Sequence, residues 1–272
     1  MSDNLITIRV WGDHACFTRP EMKVERVSYP VMTPSAARGV LEAIFWEPEI
    51  YYLIDSIHII RRGRWFSFRR NEVISVISLD NAKTWMKSPE KVSPILAGGG
   101  APDGTQRNML ALEGVEYLIT AEVHLSEIGK RRGHPINIYR TEIERRAQSG
   151  KCYHRPYLGV REFAADFDWE NNAQLALERR SVELGKSWQS IWPEEDLGLM
   201  LYDVFDDGQR SQGFRWLTEE ERKAQPKKQS VSRWEGSLVK PEAVFFQANI
   251  KDAKLDCHPQ RVLLMRNQIA GS

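Results

Sequence analysis

The stretch Tyr29-Pro-Val-Met-Thr-Pro-Ser-Ala-Ala-Arg-Gly-Val-Leu-Glu-Ala-Ile-Phe-Trp46 carries the strongest local signals in the chain. Thr33 can cap a helix with its hydroxyl, Pro34 suits the first helical position where no amide hydrogen is needed, and Pro48 stops the run about three turns later. Ala36, Ala37, Val40, Leu41 and Ile44 recur at helical spacing and form an apolar stripe. Arg38, Glu42 and Phe45 lie off the centre of that stripe, so the helix can bury one side and show a cation and a ring at its margin.

Leu5-Ile-Thr-Ile-Arg-Val-Trp11 before this helix and Asp55-Ser-Ile-His-Ile-Ile-Arg61 after it read as strands, a β-α-β start. Arg64 to Ile77 can return as an antiparallel partner across an Arg62-Gly63 turn, and Gly114 to Leu125 is a further strand. A second helix fits Pro135 to Gln148, where Ile136, Tyr139, Ile143 and Ala147 recur at steps of three and four and Gly150 can serve as a left-handed stop. Tyr157-Leu-Gly-Val-Arg-Glu-Phe163 then supplies a closing strand. The order β-α-β-β-α-β predicts an α+β protein with a ferredoxin-like, RRM-like domain over residues 1–165.

Residues 166–272 read as a β-rich C-terminal module. Asp166 to Glu195 is acidic and polar, with a helix over Asn172 to Leu184. The strands Leu197–Phe205, Gly213–Leu217 and Ala243–Ile250 predict a small antiparallel sheet, and Thr218 to Ser230 reads as a charged, mobile loop.

A chain of 272 residues with 42% hydrophobic and 28% charged residues can build its core without staples. No window approaches the roughly 18 apolar residues of a membrane span, and the start lacks a basic head before an apolar core. A cytoplasmic protein with no membrane partner is expected. Cys16, Cys152 and Cys257 are far apart, outside any Cys-x-x-Cys pair, and read as reduced, mostly buried thiols. His124, His134, His154 and His258 fall in different elements, so no metal site is expected. The glycine-rich Ser93 to Gly104 lacks the Lys-Ser/Thr of a phosphate-binding loop, and no cofactor is expected.

The net charge of +1 hides an uneven distribution. From Lys130 to Arg161 nine lysines and arginines face only Glu142 and Glu144. Arg61-Arg-Gly-Arg-Trp-Phe-Ser-Phe-Arg-Arg70 interleaves five cations with three rings, a pattern in which cations track phosphates and rings stack on bases. The alternative is a hairpin with Trp65, Phe66 and Phe68 partly in the core and its arginines in solvent. Arg131 and Arg132 before the second helix and Arg145 and Arg146 within it can hold two arms of a folded RNA, or form an ordinary solvated face.

RNA cleavage without metal needs a base for the 2′-hydroxyl proton, an acid for the 5′-oxygen and a cation for the crowded phosphorane. His134, Tyr139, Lys151 and His154 lie close in sequence and offer these groups. Each also has a structural role open to it: helix entry for His134, core for Tyr139, dipole partner for Lys151 and strand-edge packing for His154.

Tyr-Pro-x-x-Thr-Pro-Ser-Ala-x-Arg-Gly-x-Leu-Glu-Ala-Ile resembles the first helix of the CRISPR-associated RAMP endoribonucleases of the type I-C (Dvulg) system, Cas family five, subtype d. The resemblance extends to Trp11-Gly-Asp-His-Ala-Cys-Phe-Thr18, to Gln106-Arg107 ahead of Val115-Glu-Tyr-Leu-Ile119, and to Gly150-Lys-Cys-Tyr-His-Arg-Pro-Tyr-Leu-Gly-Val-Arg-Glu-Phe163. It implies a ferredoxin-like fold and an enzyme that cuts the CRISPR repeat hairpin at its 3′ base. The implied reaction is metal-independent transesterification by the 2′-hydroxyl, after which the protein stays on the crRNA 5′ handle with other subunits of the interference complex. It also makes Arg38, Phe45, Arg61, Arg62, Arg64, Arg69, Arg70, Arg107, Arg131, Arg132, Arg145 and Arg146 the expected RNA-binding set. Two departures stand out. Phe45 occupies the place of a family tyrosine, and Ile138-Tyr139 that of a Lys-His pair. They keep open a non-catalytic subunit that caps the 5′ handle. The exposed cations suggest DNA as a further candidate partner, in a metal-dependent nuclease or duplex binder.

Overall fold

The computed structural model describes residues 4–98, 100–205, 207–212, 214–216, 237–239 and 242–266. Leu5–Ala15 forms β1, and the short β2, Arg26–Val27, leads to α1, Pro34–Ile44. Thr33 caps α1 as its sequence dictates, its hydroxyl oxygen accepting from the Ala36 amide at 3.1 Å. Next come β3, Ile50–Arg61, β4, Arg64–Val73, a helix α2, Leu79–Lys87, and the 22-residue β5, Gly104–Leu125. α3, Glu127–Arg132, and α4, Ile136–Gln148, precede β6, Asp166–Trp169, and α5, Ala173–Leu184. Then follow α6, Trp188–Ile191, β7, Glu194–Asp203, and α7, Asp207–Gln212. β8, Phe214–Trp216, β9, Ser237–Val239, β10, Val244–Lys251, β11, Lys254–Asp256, and β12, Leu264–Arg266, complete the described chain.

This is a mixed α/β protein built on one large, mainly antiparallel sheet. Its strands run in the order β12-β10-β11-β3-β5-β1-β6, with β2 and β4 also on β5 and β7 on β10. The period-2 alternation of the strands decides what each face meets. Ile6, Ile8 and Val10 of β1, Tyr52, Ile57 and Ile59 of β3 and Tyr117, Ile119 and Ala121 of β5 share one buried cluster. Val40, Leu41 and Ile44 of α1 and Tyr139, Ile143 and Ala147 of α4 belong to the same cluster. On the other face Ile60 and Leu118 are covered by Ala176 and Leu177 of α5.

Three expectations are corrected. β4 does not fold back on β3. Both pair antiparallel with β5, β3 against its second half (Ile50↔Leu125) and β4 against its first (Trp65↔Leu112), so they follow each other along one long strand. Gly63 marks the junction because of space and not because of a turn: a Cβ there would lie 2.7 Å from Val115 Cγ1 and 2.9 Å from Leu112 Cβ.

The strand closing the sheet beside β1 is Asp166–Trp169 (Val10↔Phe167), not Tyr157–Phe163. The Tyr157 segment is a loop pinned by a single Tyr157↔Ala164 bridge and by the Cys16 amide donating to the Leu158 carbonyl at 2.9 Å.

The C-terminal strands do not form a separate antiparallel sheet. β11 pairs with β3 (Leu255↔Ile57), which brings β10, β7 and β12 into the main sheet, while β8 pairs in parallel with β9. The expected loop Thr218–Ser230 lies outside the described residues.

A helix the sequence reading did not name, α2, carries no buried residue, although Leu79, Ala82, Trp85 and Met86 recur at helical spacing. Among the described residues no helix is long and apolar enough to cross a membrane.

Candidate active site

α1 ends at Phe45, and its last turn abuts α4 and the loop after it. The Tyr153 and His154 amides both donate to the Ala43 carbonyl, at 2.8 and 3.2 Å, which fixes that loop against the helix end. Two adjoining clefts result. The larger, about 760 Å³, is lined by His134, Asn137 and Tyr139 from α4 and its entry and by Phe45, Glu47 and Glu49 after α1, with Arg146 at its end. The smaller, about 480 Å³, shares Phe45, Glu47 and Arg146 and adds Tyr153 and His154.

His134 and Tyr139 are brought together: the imidazole Nδ1 lies 3.2 Å from the phenolic oxygen. Burial, with Glu49 adding to it and Arg132 opposing, raises the Tyr139 pKa, so the phenol keeps its proton at neutral pH. His154 is on the neighbouring cleft, its ring edge-on to Tyr153 at 5.9 Å. Lys151 lines neither cleft. It follows the last turn of α4, and nine residues of helix, about 13 Å of rise, separate Tyr139 from Gln148.

Two expected RNA contacts are committed to the fold. Phe45 is only 6% exposed, with the Arg146 guanidinium 5.1 Å from its ring centroid, so it offers no free stacking face. Arg38 donates to Asp203 through Nε at 2.8 Å and Nη2 at 3.0 Å and also pairs with Glu42. Tyr153, 82% exposed on the smaller cleft, is the open ring that sequence reasoning missed. Its signal was an aromatic residue directly beside His154 in a basic loop.

Most of the other arginines hold carboxylates. Arg132 pairs with Glu49, and Arg145 and Arg146 each meet Glu142 at 2.7 Å. These hydrogen bonds depress the Glu142 pKa to about 2. Burial, reinforced by Glu49 against the lowering effect of Arg146 and Arg132, raises that of Glu47. Arg131 Nε donates to the Glu127 carbonyl at 3.4 Å.

The arginines of the β4–β5 arm lie far from this site. Arg69 reaches Asn108 and Gln106 at 3.4 Å, Arg64 pairs with Glu113 at 2.9 Å, Arg70 with Glu72 and Glu162, and Arg107 with Glu72 at 3.1 Å. From Asn108 to Leu125 is 17 residues of strand, up to about 56 Å. Arg61 joins Arg9 and Arg180 on the buried Glu116, and Arg62 lies 3.8 Å from the Trp192 ring centroid. Phe66 and Phe68 stack on each other at 5.2 Å, with His14 and Phe163 beside them, so two of the three rings of the expected platform are packed, while Trp65 stays open.

Cys16 and Cys257 are buried, Cys152 is partly so, and all three are free thiols. Among the described residues no three His, Cys, Asp or Glu side chains are grouped so as to hold a metal ion.

The fold and site define a mixed α/β protein with a cation-edged cleft between two helices and a His–Tyr pair inside it. Residues 5–240 match the family described as CRISPR-associated protein (Cas_Cas5), in its subtype d form, and the chain belongs to that family. It is 41% identical over 215 residues to a CRISPR pre-crRNA endoribonuclease Cas5d of Mannheimia succiniciproducens, covering 78% of this chain and 90% of that protein. It is 43% identical over 165 residues to a protein of the same name from Thermus thermophilus, covering 60% of this chain and 62% of that one. A solved structure described as a CRISPR-associated protein superimposes with a TM-score of 0.57 at 16% identity over 96% of both chains, a likeness of fold.

Proposed function

We infer that this protein is a CRISPR precursor-RNA endoribonuclease that recognises a repeat hairpin and cuts it at its 3′ base. Strands β1, β3, β5 and β6, taken with α1 and α4, follow β-α-β-β-α-β in sequence and stand in the order β3-β5-β1-β6, which supports reading them as a ferredoxin-like core. On this reading residues 1–165 together with β6 form the RNA-processing unit, and β7, β10, β11 and β12 extend its sheet. Acting in the cytoplasm, the protein stays on the 5′ handle of its product beside other subunits of a type I-C interference complex.

The observation that carries the activity is the 3.2 Å approach of His134 Nδ1 to Tyr139 Oη inside a cleft edged by Arg146. With Nδ1–H donated to the phenolic oxygen, Nε2 is free to take the 2′-hydroxyl proton. The 2′-oxygen attacks phosphorus, and Tyr139 gives its O–H proton to the departing 5′-oxygen. Proton transfer from the imidazolium Nδ1 to the tyrosinate restores both neutral groups, and exchange with water returns the imidazole hydrogen from Nε2 to Nδ1. Arg146 offsets charge on the phosphorane. The products are a 2′,3′-cyclic phosphate and a 5′-hydroxyl, and no step requires a metal ion.

A second reading, a subunit that holds the 5′ handle without cutting, is favoured by Phe45, which has no proton to transfer and lies under Arg146. End-labelled repeat RNA incubated with the protein in excess EDTA separates the two. Cleavage at one position, abolished by a single 2′-deoxy substitution there, supports the nuclease. Tight binding with the RNA left intact favours the handle-holding subunit.

A further inference from the structure

A third cleft, about 610 Å³, opens at the sheet edge where β6 hands over to α5. Its polar lining comes from Asn137 and Arg140 of α4 and from Asn171, Asn172 and Gln174 at the start of α5, with Trp169 as a wall. Asn137 also lines the cleft that contains His134 and Tyr139, so the two clefts meet at the first turn of α4.

Arg140 differs from the other arginines of α4. Its Nη1 is 3.5 Å from Glu144, whereas Arg145 and Arg146 hold Glu142 at 2.7 Å. Its Nε is shut off from solvent without a hydrogen-bond partner, and its guanidinium carbon is 6.0 Å from the Trp169 ring centroid, at the outer reach of a cation–π contact. A guanidinium so weakly held keeps its outer donors for an incoming anion, and the side chain is 36% exposed.

The amides around it supply what a base edge needs. Asn171 accepts from Trp169 Nε1–H at 2.8 Å, which leaves its NH₂ free of that bond, and Gln174 donates to Glu178 at 3.0 Å, which leaves its carbonyl free of that one. Glu170, the carboxylate in the lining, is engaged by Arg179 at 2.5 Å and has Arg9 Nε at 3.7 Å, so its charge is offset.

We propose that this cleft binds the single-stranded RNA that continues from the hairpin base, with Arg140 on a phosphate and the Asn171 and Gln174 amides on the edge of a neighbouring base. The inference rests on the reading above that the adjoining His134–Tyr139 cleft handles RNA. The site is a specificity subsite and takes no part in the bond-breaking step.

The test uses the full chain and uncleavable repeat hairpins carrying 2′-deoxy residues at the cut position: one trimmed at both flanks, one extended at the 5′ side and one at the 3′ side. A scrambled RNA of equal length completes the set. The wild type is expected to bind one of the extended RNAs about tenfold more tightly than the trimmed one, the size of one charge-assisted contact. Arg140→Ala loses that gain while binding the trimmed hairpin as before, and Arg140→Lys keeps part of it. The proposal is overturned if neither extension adds affinity in the wild type, if Arg140→Ala keeps the gain, or if it weakens trimmed and extended RNAs alike. A wild type that binds the scrambled RNA as well as the hairpins removes the hairpin-recognition reading itself, an outcome visible without any variant.

Discussion

Arg38 on α1 and Asp203 at the end of β7, 165 residues apart, are joined by two hydrogen bonds of 2.8 and 3.0 Å. Arg210 donates to the same carboxylate through Nη2 and to the Tyr52 carbonyl through Nη1 at 2.9 Å. Burial would raise the Asp203 pKa, but the two guanidinium groups outweigh it and hold the carboxyl below its usual range. The first helix is thereby tied to the C-terminal strands by a buried charge cluster.

Asp203→Ala leaves two buried cations without their shared partner and is expected to cost about 3 to 5 kcal/mol. Because the folded pKa of Asp203 is depressed, its contribution is present above the unfolded value and is lost as pH falls through the folded one. Denaturant titration of wild type and Asp203→Ala at neutral pH checks the magnitude. A loss below about 1 kcal/mol would show that the cluster only offsets its own desolvation.

Tyr139→Phe keeps the ring in the core and removes only the hydroxyl. Single-turnover cleavage should fall by about 10²-fold or more with RNA affinity unchanged. His134→Ala should behave likewise, and Lys151→Ala, outside both clefts, should cut at the wild-type rate. A slow Lys151 variant with normal affinity would move the reaction to the far end of α4.

Glu142→Gln frees Arg145 and Arg146 from the carboxylate they share. RNA affinity should rise by about threefold, and the fall of affinity with salt should steepen as more phosphates are neutralised. Titration at several salt concentrations measures both, and an unchanged slope would mean that these arginines do not touch RNA. With the Glu142 pKa near 2, the ion pairs persist in mildly acidic buffer and weaken only as pH falls toward that value.

His58 on β3 is held to a pKa of about 4, chiefly by burial, with Lys254 adding to it and Asp55 opposing. The unfolded chain takes up this proton near 6.5 while the folded chain resists it, so stability should decline between pH 6.5 and 4 by up to about 3 kcal/mol. His58→Gln should flatten that segment of the stability profile measured by denaturant titration. An equally steep profile in the variant would place the acid sensitivity elsewhere.

The elements legible in the sequence are those whose signals are local. Thr33 and Pro34 opened α1, the spacing of Tyr139, Ile143 and Ala147 gave α4, and Gly150 adopts the left-handed conformation expected of a helix stop, at φ 64°. Periodicity gave strand existence but not partners. Arg62-Gly63 looks the same whether the chain turns back or passes a crowded junction, and only the distances to Val115 and Leu112 decide. Proximity along the chain put His134 and Tyr139 among four candidates with Lys151 and His154, and the 3.2 Å contact between the first two comes from the structure.

What the sequence by itself determined was therefore the caps, the periodic faces and the family, all set by residues within a few turns of one another, with His134, Tyr139, Lys151 and His154 as four candidates close along the chain. Tertiary structure decided which charges are available. Arg38, Arg61, Arg132 and Arg145 are alike as sequence, yet each is held by a carboxylate such as Asp203, Glu116, Glu49 or Glu142. Arg140 keeps only a 3.5 Å contact. An arginine's freedom depends on the geometry of the nearest carboxylate, and for Arg38 that carboxylate is 165 residues away, at a distance fixed only when the sheet is assembled.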